Sequence, residues 1–487
     1  MYIKYHNLAQ KSILVFGSIF FLFWGTSVFA KVPNDVDYSK QQAMWEIIKA
    51  PQAWEYSTGS KDVVVAIIDI GVDIYNTDLK ENIWTNLFEI PGNNKDDDKN
   101  GFVDDVNGWN FVDKNNIVRP SVLDRGLDKN IISHGTIAAG LIGASGNNKE
   151  SGTGVNWNVK IMPLTAVSHS GIGSYSDVVQ AINYAVDNGA DVINLSFTSD
   201  DYDQNLKQAI YNAYEKGVVV VAAGGNEWHD LGTSPTYPAC LDLDSDINWV
   251  LGVGAMTNDK YLTNFSNYGK CIDLYAPGQE IFSTERYAPT YGYENKFGGP
   301  WQGTSFSAPI VAGTAGLIKS IQPNWTAKQI TEAILARTDL KNGEREKAQG
   351  IALNMEDAVA NAYLSLKVSP VIDYKYTLKD NIVYKSKGAS TIYVTKIVNG
   401  NIVDIASKNI IGGYESEVFV LYKIKDYFFV KIISEKGKVL INFTLHDLPV
   451  GFTPSHIELK TNQKLKDYIS LFNNTQELKY SFAGERL

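Results

Sequence analysis

Basic residues are scarce in this sequence. Its 487 residues contain 44 Lys and Arg against 54 Asp and Glu, so the formal net charge is −10 at pH 7. A sequence-independent grip on nucleic acid needs a basic face, and the charge argues against such a partner. Residues 365–487 carry 17 basic and 12 acidic side chains, whereas residues 1–364 carry 27 and 42. This asymmetry indicates either ordinary surface solvation or a basic appendage with its own partner.

Long hydrophobic runs are absent beyond the N-terminus. There, basic residues such as Lys4 and Lys11 border an apolar run from Ser12 to Trp24, and small residues that a signal peptidase accepts end at Ala30. The run is short for a membrane span, which needs about 20 apolar residues, so an uncleaved anchor is the less favoured alternative. We predict a signal peptide over residues 1–30 and a mature protein without a membrane span, secreted to the periplasm or the medium.

Cysteine is limited to Cys240 and Cys271. Two cysteines without a histidine cluster cannot form a zinc site of the usual kind. In an exported protein, an isolated pair is more often a disulfide than two free thiols, and we predict that these two residues are bridged.

The hydrophobic pattern divides the mature chain in two. Over residues 31–364, unbroken apolar runs such as Val63 to Ile68 and Val218 to Ala223 alternate with helical patterns. Continuous apolar runs are typical of strands buried on both faces of a parallel sheet. We predict a doubly wound α/β fold with its active site at the carboxyl ends of the strands. Residues 365–487 predict a smaller, mainly-β C-terminal domain of unknown role, with a hairpin turn at Asn399-Gly400.

The strongest chemical signal is residues 303–309 (Gly-Thr-Ser-Phe-Ser-Ala-Pro), which precede a run of small helical residues. A serine hydroxyl becomes a good nucleophile when a base takes its proton. At a helix start, the helix dipole and nearby N–H groups also face the charge that develops on the substrate. We predict Ser305 as a nucleophile, with a capped, buried helix without chemistry as the alternative.

A base and an orienting carboxylate stand in two other motifs. His134 lies in Ser-His-Gly-Thr ahead of small helical residues, a setting that the other histidines lack. Asp69 ends the first apolar run, where a carboxylate is costly unless it is paired or hydrogen-bonded. An imidazole base needs such a group to fix its tautomer and stabilise its charged form. We therefore predict His134 as the base and Asp69 as its partner.

A fourth motif, Gly224-Gly225-Asn226, follows the apolar run that ends at Ala223. The glycines let a substrate approach the backbone closely, and the Asn226 amide can donate a hydrogen bond to a tetrahedral oxyanion. In isolation the motif would indicate only a turn.

In their order along the chain, the four motifs resemble the catalytic blocks of subtilisin-like serine proteases, the subtilase family. The resemblance extends from about Trp45 to Ala360. It implies a serine endopeptidase that acts through an acyl-enzyme, with Asp69, His134 and Ser305 as its triad. With the signal peptide, we expect a secreted protein, and we expect it to be a monomer. The Asn226 side chain and the Ser305 N–H would bind the oxyanion.

Three isoleucines depart from the family pattern. Ile70 replaces the hydroxyl residue that usually follows the catalytic Asp, and Ile137 and Ile310 replace histidines. None of them is a catalytic group, so we expect effects on rate and pH profile and not a loss of activity.

The resemblance also implies a peptide substrate held as an extended strand between two edge segments, by main-chain hydrogen bonds with little sequence preference. The implied substrate-binding residues are Ser170, Gly171, Gly173, Ser196, Phe197, Ala223, Gly224 and Thr236. Thr236 would narrow the pocket for the residue before the cut, and Glu227 at its rim would favour basic residues.

An acidic stretch, residues 96–105, places oxygen donors at its first, third, fifth and ninth positions and glycine at its sixth, like the front of a calcium loop. The predicted ligands of a structural Ca²⁺ are Asp96, Asp98, Asn100 and Asp104. Asn107 stands where an EF-hand has its glutamate, so the loop is not an EF-hand, and a solvated acidic turn is the alternative. Asp78, with the loop at Asn147-Asn148, resembles the family's other calcium site.

Two other function classes fit parts of the pattern. One is a pseudoprotease that only binds peptides, which the intact catalytic set argues against. The other is an adhesion protein whose function lies in residues 370–487, with the protease subsidiary. Casein hydrolysis that disappears in Ser305→Ala separates an enzyme from both.

Overall fold

A computed structural model describes residues 30–122, 129–335 and 350–368, together with ten strands between residues 375 and 480. The predicted signal peptide lies outside the described residues, apart from Ala30. The helices are α1 (Tyr38–Ile47), α2 (Ala50–Ala53), α3 (Lys129–Gly143), α4 (Tyr175–Asp187), α5 (Gln204–Glu215), α6 (Thr304–Ile321), α7 (Ala327–Ile334) and α8 (Met355–Val368). The strands up to residue 368 are β1 (Gly59–Asp69), β2 (Trp109–Asn110), β3 (Asn158–Thr165), β4 (Val192–Leu195), β5 (Val219–Ala223), β6 (Leu251–Met256), β7 (Leu274–Pro277), β8 (Ile281–Thr284), β9 (Phe297–Trp301) and β10 (Ile351–Ala352).

The central sheet has eight strands in the order β10-β7-β6-β5-β4-β1-β3-β2. Every pairing in it is parallel, with β1 between β4 and β3. The register places Asp69 beside Thr165 and Ile68 beside Leu195, so several strands end at the same edge. The predicted mainly parallel α/β sheet is confirmed.

Both faces of the sheet are covered by helices, which explains the unbroken apolar runs. Successive side chains of a strand point to opposite faces, so Val65 and Ile67 pack into one core and Ala66 and Ile68 into the other. The first core contains residues of α3 and α6, and the second contains residues of α4 and α5. The sheet is therefore doubly wound.

Helix α6 carries Pro309 in its second turn, and the proline changes the hydrogen bonding of Ser305. Proline has no backbone N–H, so the Ser305 carbonyl lacks its usual partner four residues later. The Ser196 hydroxyl donates to that carbonyl instead, at 2.8 Å. The end of β4 is thereby tied to the start of α6.

Beyond residue 368, ten strands form three antiparallel sheets of three, four and three strands. They are β11 (Lys375–Lys379), β12 (Ile382–Lys387), β13 (Ser390–Lys396), β14 (Asn401–Lys408), β15 (Glu417–Ile424), β16 (Tyr427–Ile433), β17 (Val439–Thr444), β18 (His456–Lys460), β19 (Tyr468–Phe472) and β20 (Glu477–Tyr480). The predicted hairpin turn at Asn399-Gly400 lies outside the described residues. Of the strands on either side of it, β13 pairs with β12 and β14 pairs with β15. The division of the chain at residue 365 stays a prediction.

Among the residues that the structure describes, no helix combines the length and the hydropathy that a membrane span needs.

Candidate active site

The Asp69 carboxylate and the His134 imidazole form a close pair at the carboxyl end of β1. Asp69 is the last residue of that strand and is only 3% exposed. His134 lies in α3, and its Nδ1 is 2.9 Å from Asp69 Oδ2 and 3.0 Å from Oδ1. The next residue, Gly135, must be small, because a Cβ there would lie 2.3 Å from the Gly71 carbonyl oxygen. The pair is thus fixed by a strand end and a tightly packed helix.

The environment of His134 favours its charged form. Burial alone would lower the pKa of the imidazole, but the charge of Asp69 and the hydrogen bond to it outweigh burial, so the pKa is raised above its ordinary value. Because Nδ1 faces Asp69, the other ring nitrogen is left for proton transfer with a reacting group.

Ser305 is the second residue of α6, and its side chain is half-buried. It lines the same surface cavity as His134, together with Ile131, Pro300, Trp301, Gln302 and Phe306. The Phe306 ring packs beside the imidazole, with ring centroids 5.4 Å apart. Three predicted catalytic residues therefore converge: Asp69 lies behind His134, and His134 shares a cavity with Ser305.

The Asn226 amide has a defined orientation. Its Oδ1 accepts hydrogen bonds from the Thr304 N–H at 2.9 Å and from the Thr304 hydroxyl at 3.1 Å. With Oδ1 engaged, the amide presents Nδ2 as the donor on its other side. A Cβ on Gly303 would lie 3.7 Å from Asn226 Nδ2 and 3.8 Å from both Asn226 Oδ1 and the Ser305 nitrogen, so the Asn226 amide and the Ser305 N–H both lie near the point where that Cβ would stand. Gly303 keeps that point open and has a φ of +143°, which L side chains rarely adopt.

The predicted edge segments follow β3 and β4. After β3, the Ser170 and Ser168 hydroxyls are 2.8 Å apart, and Gly173 pairs with Val167 in an isolated antiparallel bridge. Gly171 lies between them in the same turn, with a backbone hydrogen bond to Ser168. Ser196 and Phe197 directly follow β4.

The predicted pocket residues meet at the end of β5. Ala223 is the last residue of that strand, and Gly224 follows it. Thr236 is buried, and its hydroxyl donates to the Gly224 carbonyl at 3.0 Å. The structure thus brings Ala223, Gly224 and Thr236 together.

Glu227 is tied into its own loop. Its Oε2 accepts from the Asn226 N–H at 2.8 Å and from Asn267 Nδ2 at 2.9 Å. The carboxylate therefore holds this loop, a role that sequence reasoning did not assign to Glu227.

The three departures from the family pattern have structural roles. The Ile70 backbone N–H donates to Asp69 Oδ1 at 2.7 Å, a hydrogen bond that needs no hydroxyl side chain. Ile137 and Ile310 are fully buried and belong to the core that packs against the sheet.

The acidic loop, here residues 86–105, brings together a different set of carboxylates from the one predicted. Oxygens of Glu89, Asp96 and Asp98 lie within 4.8 Å of one another. Asp104 is outside this cluster, and its carboxylate accepts from the Asn93 and Asn94 N–H groups. Sequence reasoning missed Glu89, because it precedes the contiguous pattern.

Asn100 remains beside the cluster. Its Nδ2 donates to Asp98 Oδ2 at 3.2 Å and to Asp105 Oδ2 at 3.0 Å. The loop is anchored in the protein through Phe102, whose ring packs edge-on against Trp109 and Tyr184.

Asp78 lies in a second acidic region, near the N-terminus of the described chain. It is fully buried and accepts from Asn148 Nδ2 at 2.7 Å and from the Gly152 N–H at 3.2 Å. Burial, with the charge of the buried Asp35 adding to it, raises the pKa of Asp78 to about 6.

Cys240 and Cys271 form a disulfide, with the sulfur atoms 2.08 Å and the Cα atoms 5.0 Å apart. It joins the segment that follows Thr236 to the segment that follows Asn267, and the side chains of Thr236 and Asn267 both donate to the Gly224 carbonyl in the loop that carries Asn226.

Comparison with known proteins places this chain in a family. The model of the family described as "Subtilase family" (Peptidase_S8) matches residues 60–352. The "Thermophilic serine proteinase" of Bacillus sp. (strain AK1) is 35% identical over 292 residues, which are 60% of this chain and 60% of that protein. "Thermitase" of Thermoactinomyces vulgaris is 33% identical over 288 residues, 59% of this chain and 85% of thermitase.

A solved structure of a protease is also similar to this chain. A protease of Pseudoalteromonas arctica PAMC 21717 superposes with a TM-score of 0.54 at 27% identity, covering 68% of this chain and 99% of that one. The chain thus spans nearly all of this structure but about 60% of the length of the Bacillus proteinase.

Proposed function

Since the chain belongs to the subtilase family, we propose that it is a serine endopeptidase, with Asp69, His134 and Ser305 as its triad. The observation that carries the proposal is the convergence of these side chains. A buried carboxylate lies 2.9 Å from one nitrogen of an imidazole, and that imidazole lines one cavity with the Ser305 side chain.

In the proposed mechanism, the Ser305 Oγ attacks the carbonyl carbon of the substrate while His134 Nε2 takes the hydroxyl proton. Asp69 keeps the other imidazole proton on Nδ1 and stabilises the imidazolium. The imidazolium then protonates the leaving amine, and an acyl-enzyme remains on Ser305. A water molecule, deprotonated by His134, hydrolyses this ester and restores the free hydroxyl.

The oxyanion of each tetrahedral intermediate would lie between Asn226 Nδ2 and the Ser305 N–H. Thr304 holds the Asn226 amide in the required orientation before substrate arrives. Preorganised donors of this kind stabilise a transition state by about 3–4 kcal/mol each.

We propose that a peptide substrate binds as an extended strand between the two edge segments, with Ser170, Gly171 and Gly173 on one side and Ser196 and Phe197 on the other. Ala223, Gly224 and Thr236 would wall the pocket for the residue before the cut. The buried Thr236 side chain occupies space that a glycine would leave open, which favours smaller residues there.

We propose a structural Ca²⁺ in the acidic loop, held by Glu89, Asp96 and Asp98 with Asn100 beside them. Three carboxylates within 4.8 Å supply the hard oxygen ligands that Ca²⁺ prefers, and they repel one another without a cation. Glu89 replaces Asp104 in this ligand set. The ion would stabilise the fold and take no part in the chemistry.

Asp78 remains a proposed ligand of a second Ca²⁺. Two buried carboxylates, Asp78 and Asp35, share this region, and a cation would offset the burial of Asp78 and, to a smaller extent, its repulsion by Asp35, which together raise the pKa of Asp78. Asn148 is already within hydrogen-bond reach of Asp78 and would complete the polar surroundings of the ion.

Secretion is proposed from the N-terminal sequence pattern and agrees with the Cys240–Cys271 disulfide, since such bonds persist in oxidising compartments. Mass spectrometry of the protein recovered outside the cytoplasm is expected to give an N-terminus at Lys31. Recovery of the intact leader in the membrane fraction would favour the anchor alternative.

Casein hydrolysis tests the endopeptidase proposal. We expect the purified protein to cleave casein and Ser305→Ala to lose activity by about 10⁶-fold, because the nucleophile is gone. Ser307→Ala is the matched control, since it removes a buried hydroxyl from the same helix. That hydroxyl donates to the carbonyls of Ala276 and Pro277. This variant should lose about 1 kcal/mol of stability and keep its activity. A folded wild type that binds casein without cleaving it would favour the pseudoprotease.

A further inference from the structure

We propose that Asn267 is a positioning residue for the reaction. It holds the loop that carries Asn226, so that the side-chain amide of Asn226 meets the oxyanion. This inference deepens the proposed function and rests on it. Asn267 does not line the catalytic cavity, and it is separated from Asn226 by a strand and two loops along the chain.

The Asn267 side chain is fully buried and directs its hydrogen bonds to one loop, residues 224–229. Its Nδ2 donates to the Gly224 carbonyl and to Glu227 Oε2, both at 2.9 Å. Its Oδ1 accepts from the N–H groups of Glu227 at 3.1 Å and His229 at 2.8 Å. A primary amide has two N–H donors and one oxygen with two lone pairs, so its capacity is filled by this loop.

The loop needs such support because Asn226 lies beyond the end of β5 and before β6, in an exposed turn. Gly225 has a φ of +101°, and a Cβ there would lie 2.3 Å from Asn267 Nδ2. The turn is therefore folded directly against the Asn267 side chain. The Asn267 N–H adds a further hydrogen bond, to the Gly225 carbonyl at 3.0 Å.

A short chain of contacts connects Asn267 to the oxyanion donor. Asn267 Nδ2 fixes the Glu227 carboxylate, and the same Oε2 accepts the Asn226 N–H at 2.8 Å. Thr304 holds the other end of Asn226, through its Oδ1. Asn267 and Glu227 thus place the backbone of Asn226, and Thr304 orients its amide.

The Asn226 amide must be placed accurately to act as an oxyanion donor. A displacement of about 1 Å in a catalytic group can reduce the rate by about 100-fold, even when the cause lies away from the chemistry. An oxyanion donor acts in the transition state, so its misplacement lowers kcat more than it changes KM.

The experiment is a double-mutant cycle of Asn267→Ala and Asn226→Ala, in which the hydrolysis of a chromogenic peptide gives kcat and KM for each variant. We expect Asn267→Ala to lower kcat by about 10- to 100-fold with little change in KM. In the Asn226→Ala background, the same substitution should lower kcat by less than about 2-fold, because the group that Asn267 positions is already missing.

Asn267→Asp is the second variant, since it keeps the size and the acceptor oxygen and replaces both N–H donors with a second oxygen. It should also lower kcat, because the introduced carboxylate would repel that of Glu227. Asn82→Ala is the control: Asn82 is 1% exposed and donates to the Gly143 and Trp157 carbonyls, away from the site. It should lower the melting temperature without lowering kcat.

Equal loss of kcat from Asn267→Ala in both backgrounds would overturn the inference, as would an unchanged kcat in either folded Asn267 variant. These results would not contradict the proposed function, since the wild type still cleaves the peptide. A wild type without hydrolysis would overturn the proposed function and the inference together.

Discussion

The proposed catalytic residues and the acidic loop differ in what holds their side chains in place. Asp69 ends a buried strand and Ser305 begins a buried helix, so the sheet and its covering helices fix both groups without any ligand. The acidic loop depends on side-chain hydrogen bonds to its own backbone, such as those from Asp97 and Asp104 N–H to Glu89. The clustered carboxylates of Glu89, Asp96 and Asp98 also repel one another. The fold therefore preforms the proposed catalytic set, whereas the acidic loop is where the proposed Ca²⁺ would add stability.

The largest effect that separates the two regions is expected from Asp69→Asn. The amide would present Nδ2 to His134 and force the imidazole into the tautomer that cannot accept the Ser305 proton. We expect kcat to fall by about 10⁴-fold, with little change in melting temperature because the shape of the side chain is kept. A fall of less than about 10-fold, measured on a peptide substrate, would contradict the assigned role of Asp69.

A smaller effect, on stability alone, is expected from the acidic loop. At a free Ca²⁺ concentration about 100 times its Kd, the ion should add about 2.7 kcal/mol to the free energy of unfolding, and EDTA should remove it. Asp98→Asn should abolish the acidic loop's part of this calcium-dependent gain, keep the part that belongs to the proposed Asp78 site, and leave kcat unchanged in the folded protein. Chemical denaturation with and without calcium measures the gain in the free energy of unfolding, and hydrolysis of a peptide substrate measures kcat.

Asp104→Asn is the matched control for this loop. Asp104 has a φ of +53°, which asparagine tolerates, and it lies outside the carboxylate cluster. The variant should lose the same stability in calcium and in EDTA, since only hydrogen bonds to the Asn93 and Asn94 N–H groups change. Loss of the calcium response in Asp104→Asn, with an intact response in Asp98→Asn, would restore the ligand set predicted from sequence.

The smallest expected effect concerns pH. His134 must be neutral to act as a base, and its raised pKa keeps it charged to higher pH than an ordinary imidazole. kcat/KM should therefore fall as the pH is lowered through an apparent pKa above the ordinary value of about 6.5. An acidic limb below that value in the pH profile would mean that burial, and not Asp69, dominates the environment of His134.

The same contrast explains what the sequence could predict. Asp69, His134, Ser305 and Asn226 each stand in a short motif at the end or the start of a buried element. The topology of a parallel sheet brings such ends together, so contiguous patterns were enough to predict that these residues share one site.

The remaining features depend on contacts between distant segments. Glu89 joins Asp96 and Asp98 from outside the acidic pattern, and Asn267 reaches the Asn226 loop across β6. Neither contact leaves a local signal.

The most direct test of the central claim is to treat the protein with a serine-directed fluorophosphonate and to locate the adduct by mass spectrometry. The convergence of Asp69, His134 and Ser305 predicts one adduct per chain, on Ser305, formed at a rate that drops sharply in His134→Ala. A folded wild type that stays unlabelled, or carries the adduct on a different serine, would show that these three side chains do not form a proton-transfer chain.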